Sequence, residues 1–134
     1  MKAGSLRPVL ILDDDPDEGF LTRRLLMRGG IRNPIVMVDC GEQARAFLRA
    51  ASYGAAAPCA VFLDIKMDGE NGFHVLEWAR EQQALRETAI FVMSGSDDPP
   101  DKLRAMQLGA TGYIVKYPTP DEIARCVRES CDGS

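Results

Sequence analysis

The feature that most constrains the fold is a series of five short apolar runs, each followed by a stretch with helically spaced apolar residues. The run at 60–63 has no polar alternation, which is typical of a strand buried on both faces of a parallel sheet. Repeated strand–helix units without long linkers predict an α/β fold, with an open parallel sheet and helices on both of its faces. The predicted strands lie at about 9–12, 35–38, 60–63, 89–93 and 112–115.

Turn and capping residues set the expected limits of the helices. Pro16 suits the first position of a helix because its missing N–H would have no helical partner there, and Gly29-Gly30 should end that helix. The fourth helix is expected at about Asp101–Leu108. Thr119 and Glu122, three residues apart, predict a capping box at the start of the fifth helix.

Length and charge exclude several classes of protein. The 134 residues suit one domain, and a net charge of -4 with a pI near 5.0 argues against general attraction to nucleic acid or to an anionic membrane. No apolar run approaches the roughly 18 residues of a membrane span, and the run near the N-terminus is too short for a signal peptide. We therefore expect a single cytoplasmic domain over residues 1–134, with no output domain.

The cysteines show no metal-binding spacing. Cys40, Cys59, Cys126 and Cys131 contain no C-x-x-C pair, and the single His74 leaves no Cys/His cluster for zinc. We interpret all four cysteines as reduced, small apolar residues. The less favoured alternative is a redox role for Cys126 and Cys131, about one and a half turns apart on the last helix.

Polar groups follow four of the predicted strands at the point where each strand ends. Asp13-Asp14, Asp64, Ser94 and Lys116 occupy these positions, whereas we interpret Asp15 and Asp17 as helix-capping residues. Carboxyl ends of parallel strands lie side by side, so these groups can converge on one crevice. Carboxylates held that close repel one another unless a cation intervenes, and oxygen ligands with room for water suit Mg²⁺.

Such a crevice can accept a phosphoryl group. The carboxylate of Asp64 would attack phosphorus, while Mg²⁺ and the ammonium group of Lys116 neutralise the equatorial oxygens and the Ser94 hydroxyl donates a hydrogen bond. The product would be an aspartyl phosphate. Gly95 matters sterically, because a bulky side chain beside Ser94 would crowd the incoming group.

With these residues in place, the sequence resembles the receiver domain of two-component response regulators. The resemblance runs from about Val9 to Cys131, and its motifs are Asp64-Ile-Lys-Met-Asp-Gly and Gly112-Tyr-Ile-Val-Lys116 in this order. It implies a flavodoxin-like five-stranded sheet in the order 2-1-3-4-5.

The resemblance also assigns roles to individual residues. Asp13 and Asp14 would hold Mg²⁺ together with Asp64 and the main-chain carbonyl of Lys66, with Asp14 the direct ligand of the acidic pair. Asp64 would accept phosphate from the phosphohistidine of a histidine kinase. Ser94 would move toward the phosphoryl group and Lys116 would pair with it. Tyr113 would be the switch aromatic, turning inward as Ser94 shifts.

Two positions depart from the family pattern. Pro usually follows the Lys directly, with a cis bond that orients the ammonium group, but here Tyr117 stands between Lys116 and Pro118. A cis bond before Tyr117 would cost roughly 3–4 kcal/mol, against about 0.5–1 kcal/mol before proline. The second departure is Asp68, where Pro is common, and it adds a negative charge near the site.

The sequence is compatible with three functions, each from a different class of protein. A stand-alone receiver would signal by docking on a downstream protein or by a phosphorelay with a sensor histidine kinase or phosphotransfer protein, and a homodimer is left open. A haloacid-dehalogenase-like phosphatase would use Asp13-Asp14-Asp15, but it needs an acidic pair at the end of the Lys strand. A phosphorylation-independent interaction module is conceivable if Tyr117 misplaces Lys116.

Overall fold

The computed structural model describes residues 6–52, 57–67 and 71–132, and Asp68 lies outside them. Five parallel strands form one sheet in the order β2-β1-β3-β4-β5, which confirms the predicted arrangement. The direction in which strands are added to the sheet changes between β1 and β3, which are neighbours. The strands are β1 (Val9–Leu12), β2 (Ile35–Val38), β3 (Ala60–Asp64), β4 (Ala89–Ser94) and β5 (Gly112–Val115).

A helix follows each strand, as the apolar spacing predicts. The fourth helix begins at Pro99, two residues before the expected start, because two prolines can occupy the first turn, where a backbone N–H is not needed. A single 3₁₀ turn at Gln83–Leu85 follows the third helix. The helices are α1 (Pro16–Arg28), α2 (Gly41–Ser52), α3 (Gly72–Glu81), α4 (Pro99–Gln107) and α5 (Pro120–Asp132).

The sheet separates two apolar layers. Leu10 and Leu12 of β1 face α2, α3 and α4, whereas Val9 and Ile11 pack with α1 and α5 on the other face. All four residues of β1 are buried for this reason, and the strand shows no polar alternation. The doubly covered sheet leaves its carboxyl edge as the place where polar groups from neighbouring strands can meet.

The N-terminal caps predicted for α1 and α5 are both present. The Asp15 carboxylate accepts from the backbone N–H of Asp17 at the start of α1. The Thr119 hydroxyl accepts from the N–H of Glu122 at 3.1 Å, and the Glu122 carboxylate accepts from the N–H of Thr119 at 2.8 Å, which confirms the capping box. Gly29 ends α1 where a Cβ would lie 2.5 Å from the Pro120 carbonyl oxygen, so α1 and α5 approach closely.

The interpretation of all four cysteines as reduced is wrong. Cys59 and Cys131 form a disulfide with their Cα atoms 5.2 Å apart, while Cys40 and Cys126 are free thiols. The last turn of α5 lies beside the start of β3, and this packing brings together two residues 72 positions apart. Cys131 is thus bonded across the fold and not to Cys126.

Within the ranges described, no helix combines the length and apolar character needed to cross a bilayer.

Candidate functional site

The carboxyl edge of the sheet brings the predicted site residues together. Asp13 directly follows β1, and Asp64 is the last residue of the adjacent β3. Ser94 ends β4, and Lys116 follows β5. The Lys116 backbone N–H donates to the Ser94 carbonyl at 2.8 Å, which extends the pairing of β4 and β5 to the rim of the crevice.

Asp13, Asp14 and Asp64 form an acidic cluster. Each offers one carboxylate oxygen, and these oxygens lie within 4.8 Å of one another. Asp13 and Asp64 are only 5% and 7% exposed, and Asp14 is half-buried. Three carboxylates at such separations strongly favour a bound cation. The all-oxygen donor set fits a hard divalent ion such as Mg²⁺.

Lys116 lies at the centre of this negative charge. Its Nζ donates to Asp13 Oδ2 at 3.1 Å and lies 3.8 Å from Asp64 Oδ2. Burial disfavours the ammonium form, but the hydrogen bond to Glu18 and the charges of Asp64 and Asp13 together raise the pKa of Lys116. The peptide bond between Lys116 and Tyr117 is cis. With Tyr117 directly after it, Lys116 still lies within ion-pair distance of Asp13 and Asp64, so Tyr117 does not move its ammonium group out of the crevice.

The carboxyl group of Asp64 has an unusual proton affinity. Burial is the largest cause that raises the pKa of Asp64, to about 6; the positive charge of Lys116 opposes it, and the negative charge of Asp13 adds to it. The backbone N–H of Lys66 donates to Asp64 Oδ1 at 3.3 Å. Lys66 thus lies next to the carboxylate through its N–H, and the role of its carbonyl as a metal ligand stays a prediction.

The start of α3 lies directly against the end of β3. The Gly72 N–H donates to the Ile65 carbonyl at 3.1 Å, and a Cβ on Gly72 would lie 2.2 Å from the carbonyl oxygen of Asp64. The Asn71 side chain caps α3 by accepting from the Phe73 N–H at 2.8 Å. Only glycine fits at position 72, and it holds the start of α3 against the backbone of Asp64.

Ser94 and Tyr113 meet through one intervening residue. The buried Ser94 hydroxyl oxygen accepts from the backbone N–H of Ser96 at 3.0 Å, and the Tyr113 hydroxyl donates to the Ser96 carbonyl at 2.8 Å. The Tyr113 ring is half-buried against the apolar layer that contains α4. A shift of Ser94 would therefore move Ser96, to which the Tyr113 hydroxyl is bonded. The role of Tyr113 as the switch aromatic stays a prediction.

Glu18 is a site residue that sequence reasoning missed. Its carboxylate accepts a hydrogen bond from the Nζ of Lys116, so it is a fourth acidic group at the crevice. The available signal was its position in the first turn of α1, directly after the acidic run that follows β1. An acidic residue there is also favoured by the helix dipole alone, and this ordinary explanation concealed it.

The phosphatase alternative lacks the acidic pair that it requires. Asp121 and Glu122 lie in the first turn of α5, where Glu122 caps the helix by bonding to Thr119, so they do not stand at the end of the Lys strand. That reading also leaves the buried Asp64 unexplained.

Comparison with known proteins agrees with this geometry. Residues 9–128 match the response regulator receiver domain. The chain is 30% identical over 122 residues to the transcriptional regulatory protein GltR of Pseudomonas aeruginosa. The aligned region covers 87% of this chain and 46% of GltR. It thus spans about half the length of the curated relatives that it matches.

Solved structures share the fold. The bacteriophytochrome response regulator AtBRR superposes with a TM-score of 0.81 at 23% identity, covering 96% of this chain and 94% of that one. The Mn(2+)-bound form of response regulator Rcp1 superposes with a TM-score of 0.73 at 19% identity, covering 92% and 90%. With its matched domain, its sheet order and the acidic crevice at the sheet edge, the chain belongs to the receiver domain family of two-component response regulators.

Proposed function

We propose that this receiver accepts a phosphoryl group on Asp64 from the phosphohistidine of a sensor histidine kinase or phosphotransfer protein. The observation that carries the proposal is the buried Asp64 carboxylate, which has the Lys116 Nζ 3.8 Å away and two further carboxylates beside it. In the reaction, a phosphorus–oxygen bond forms to Asp64 as the phosphorus–nitrogen bond breaks, and its electron pair leaves with the imidazole.

Mg²⁺ is the cofactor that this donor set fits. Asp14, Asp13 and Asp64 would hold it with the Lys66 carbonyl, and Asp14 would be the direct ligand of the acidic pair. The ion supplies positive charge that neutralises the transferring phosphoryl oxygens. The Lys116 ammonium group would serve the same purpose, since it already lies within ion-pair distance of the Asp64 carboxylate.

The signal would be a two-state shift that ends at Tyr113. Ser94 would leave the Ser96 N–H to donate to the phosphoryl group, and the Ser96 carbonyl would release the Tyr113 hydroxyl. Moving such an equilibrium from 1:99 to 99:1 requires about 5.5 kcal/mol of differential binding. The Ser94–Ser96–Tyr113 connection supports this route because both hydrogen bonds end on the same residue.

The output would be a protein–protein contact in the cytoplasm. We infer that residues 1–134 act as one receiver that docks on a downstream protein or passes its phosphoryl group along a relay. The output activity of relatives such as GltR is not carried over, because this chain aligns with less than half of that protein.

The test is incubation with acetyl phosphate and Mg²⁺, followed by intact-protein mass spectrometry. We expect one phosphoryl adduct in the wild type and in Asp121→Asn, a control that removes an exposed carboxylate in the first turn of α5, and none in Asp64→Asn. Continuous release of phosphate over many turnovers would support the phosphatase instead. Failure of the wild type to form any adduct would support the phosphorylation-independent module.

A further inference from the structure

Glu18 holds the ammonium group of Lys116 on the α1 side of the crevice. The Lys116 Nζ hydrogen bonds to Asp13 and Glu18, whereas its 3.8 Å separation from Asp64 Oδ2 is too long for a hydrogen bond. The Lys116 side chain is 7% exposed and that of Glu18 is 40% exposed, so Glu18 reaches in from the mouth of the site.

The Tyr117 ring lies near the same ammonium group of Lys116. The Lys116 Nζ is 5.9 Å from the ring centroid. The pKa of the Tyr117 hydroxyl is raised first by burial and then by the negative charge of Glu18. Glu18, Lys116 and Tyr117 therefore form one connected group, which we call the α1 latch.

A phosphoryl group on Asp64 would need the same ammonium group. The dianionic phosphoryl oxygens attract Lys116 strongly, but pairing with them requires Lys116 to leave Glu18. The half-exposed Glu18 carboxylate then remains near the new negative charge and repels it. Both effects favour the unmodified state, and both depend on the charge of one side chain.

We propose that Glu18 is a positioning residue that competes with the phosphoryl group for Lys116 and so lowers the stability of the phosphorylated state. This inference rests on the proposed function, because it presupposes a phosphoryl group on Asp64. The α1 latch would thus help to set the free-energy difference between the unmodified and the phosphorylated protein.

The test is the affinity for beryllofluoride, a phosphoryl analogue, measured by calorimetry at saturating Mg²⁺. Glu18→Gln keeps the size of the side chain and removes its charge. We expect it to bind beryllofluoride about 2- to 5-fold more tightly than the wild type, the range of a partly exposed ion pair. Asp17→Asn is the matched control, because Asp17 is an exposed acidic residue in the same helical turn.

A second arm separates competition for Lys116 from a general change of charge. In a Lys116→Met background, Glu18→Gln should increase the affinity by a smaller factor than in the wild-type background, since competition for the ammonium group is gone and only the direct repulsion remains. The NH₃⁺ resonance of Lys116 in the metal-free protein should also shift in Glu18→Gln and stay in place in Asp17→Asn.

Each remaining outcome overturns the proposal. Unchanged or weaker binding by Glu18→Gln, an equal gain in Asp17→Asn, or a gain of the same size in the Lys116→Met background would exclude competition while leaving the proposed function intact. No beryllofluoride binding by any variant, including the wild type, would overturn the proposed function and this inference together.

Discussion

The ammonium nitrogen of Lys116 lies 3.8 Å from Oδ2 of Asp64, although the two residues end different, non-adjacent strands of the sheet. The separation is short enough for strong attraction and long enough to leave Asp64 without a hydrogen bond from the ammonium group.

Removing the ammonium group should destabilise the metal-free protein. In Lys116→Met the buried Asp13 and Asp64 lose their positive partner, and breaking such a buried pair costs about 3–5 kcal/mol in the free energy of unfolding. The control is Lys102→Met, whose exposed pair with Asp97 is worth less than about 1 kcal/mol. Urea denaturation measures both; equal small losses would mean that the crevice does not depend on Lys116.

Mg²⁺ should stabilise the fold because it relieves the repulsion among three carboxylates. Metal at about 100 times its dissociation constant should raise the free energy of unfolding by roughly 2.7 kcal/mol. Asp14→Asn should lose most of this gain, and Asp121→Asn should keep it. A melting temperature that ignores Mg²⁺ in the wild type would contradict the metal site.

Without metal, the raised pKa of Asp64 predicts a pH dependence of stability. The folded-state pKa of about 6 exceeds the usual value of 3.8, so folding favours the protonated form. This contribution is fully present below about pH 4 and is lost as the pH rises through about 6; it amounts to up to about 3 kcal/mol.

The measurement compares urea denaturation of the wild type and Asp64→Asn from pH 4 to 7 in the presence of a chelator. The asparagine variant cannot ionise at this position, so its stability relative to the wild type should rise with pH over this range. A constant difference between the two proteins would show that Asp64 titrates normally.

Gly72→Ala should damage the site through the backbone. Its Cβ would lie 2.2 Å from the Asp64 carbonyl oxygen and 2.9 Å from Ile65 Cα, so the strand end must move. We expect a loss of about 1–3 kcal/mol, the typical cost of overpacking, and slower formation of the phosphoryl adduct. Alanine is the better helix former, so a net loss cannot come from helix propensity.

Gly95→Ala provides the matched control for that substitution. A Cβ at Gly95 meets nothing within 4 Å, and its stability should stay close to that of the wild type. Equal stability losses in Gly72→Ala and Gly95→Ala, measured by urea denaturation, would contradict the close backbone approach at Gly72.

Reduction of the Cys59–Cys131 disulfide should lower the free energy of unfolding by about 2–4 kcal/mol, because the bond closes a long loop in the unfolded chain. Reductant should have no effect on Cys131→Ser, while Cys40→Ser should respond like the wild type. Alkylation of the denatured, unreduced protein should modify only the thiols of Cys40 and Cys126; modification of all four cysteines would exclude the bond.

Local features of the fold could be predicted because they depend on residues close in sequence. Apolar runs identified all five strands, and the capping box of Thr119 and Glu122 formed as its spacing indicates. The start of α4 was misplaced because Pro99 and Pro100 fit both a loop and a helix's first turn. The order of the strands came from the family resemblance, since strand–helix alternation alone permits several topologies.

The site divides in the same way. By itself, the sequence determined which groups stand at the ends of the strands, since Asp13, Asp64, Ser94 and Lys116 each close an apolar run, and parallel strands must bring such ends to one edge. Only the tertiary structure decided that Glu18 shares Lys116 across 98 positions and that Cys59 bonds to Cys131 across 72. Those contacts arise from the packing of α1 and α5 on the sheet, and no local spacing records how two helices approach.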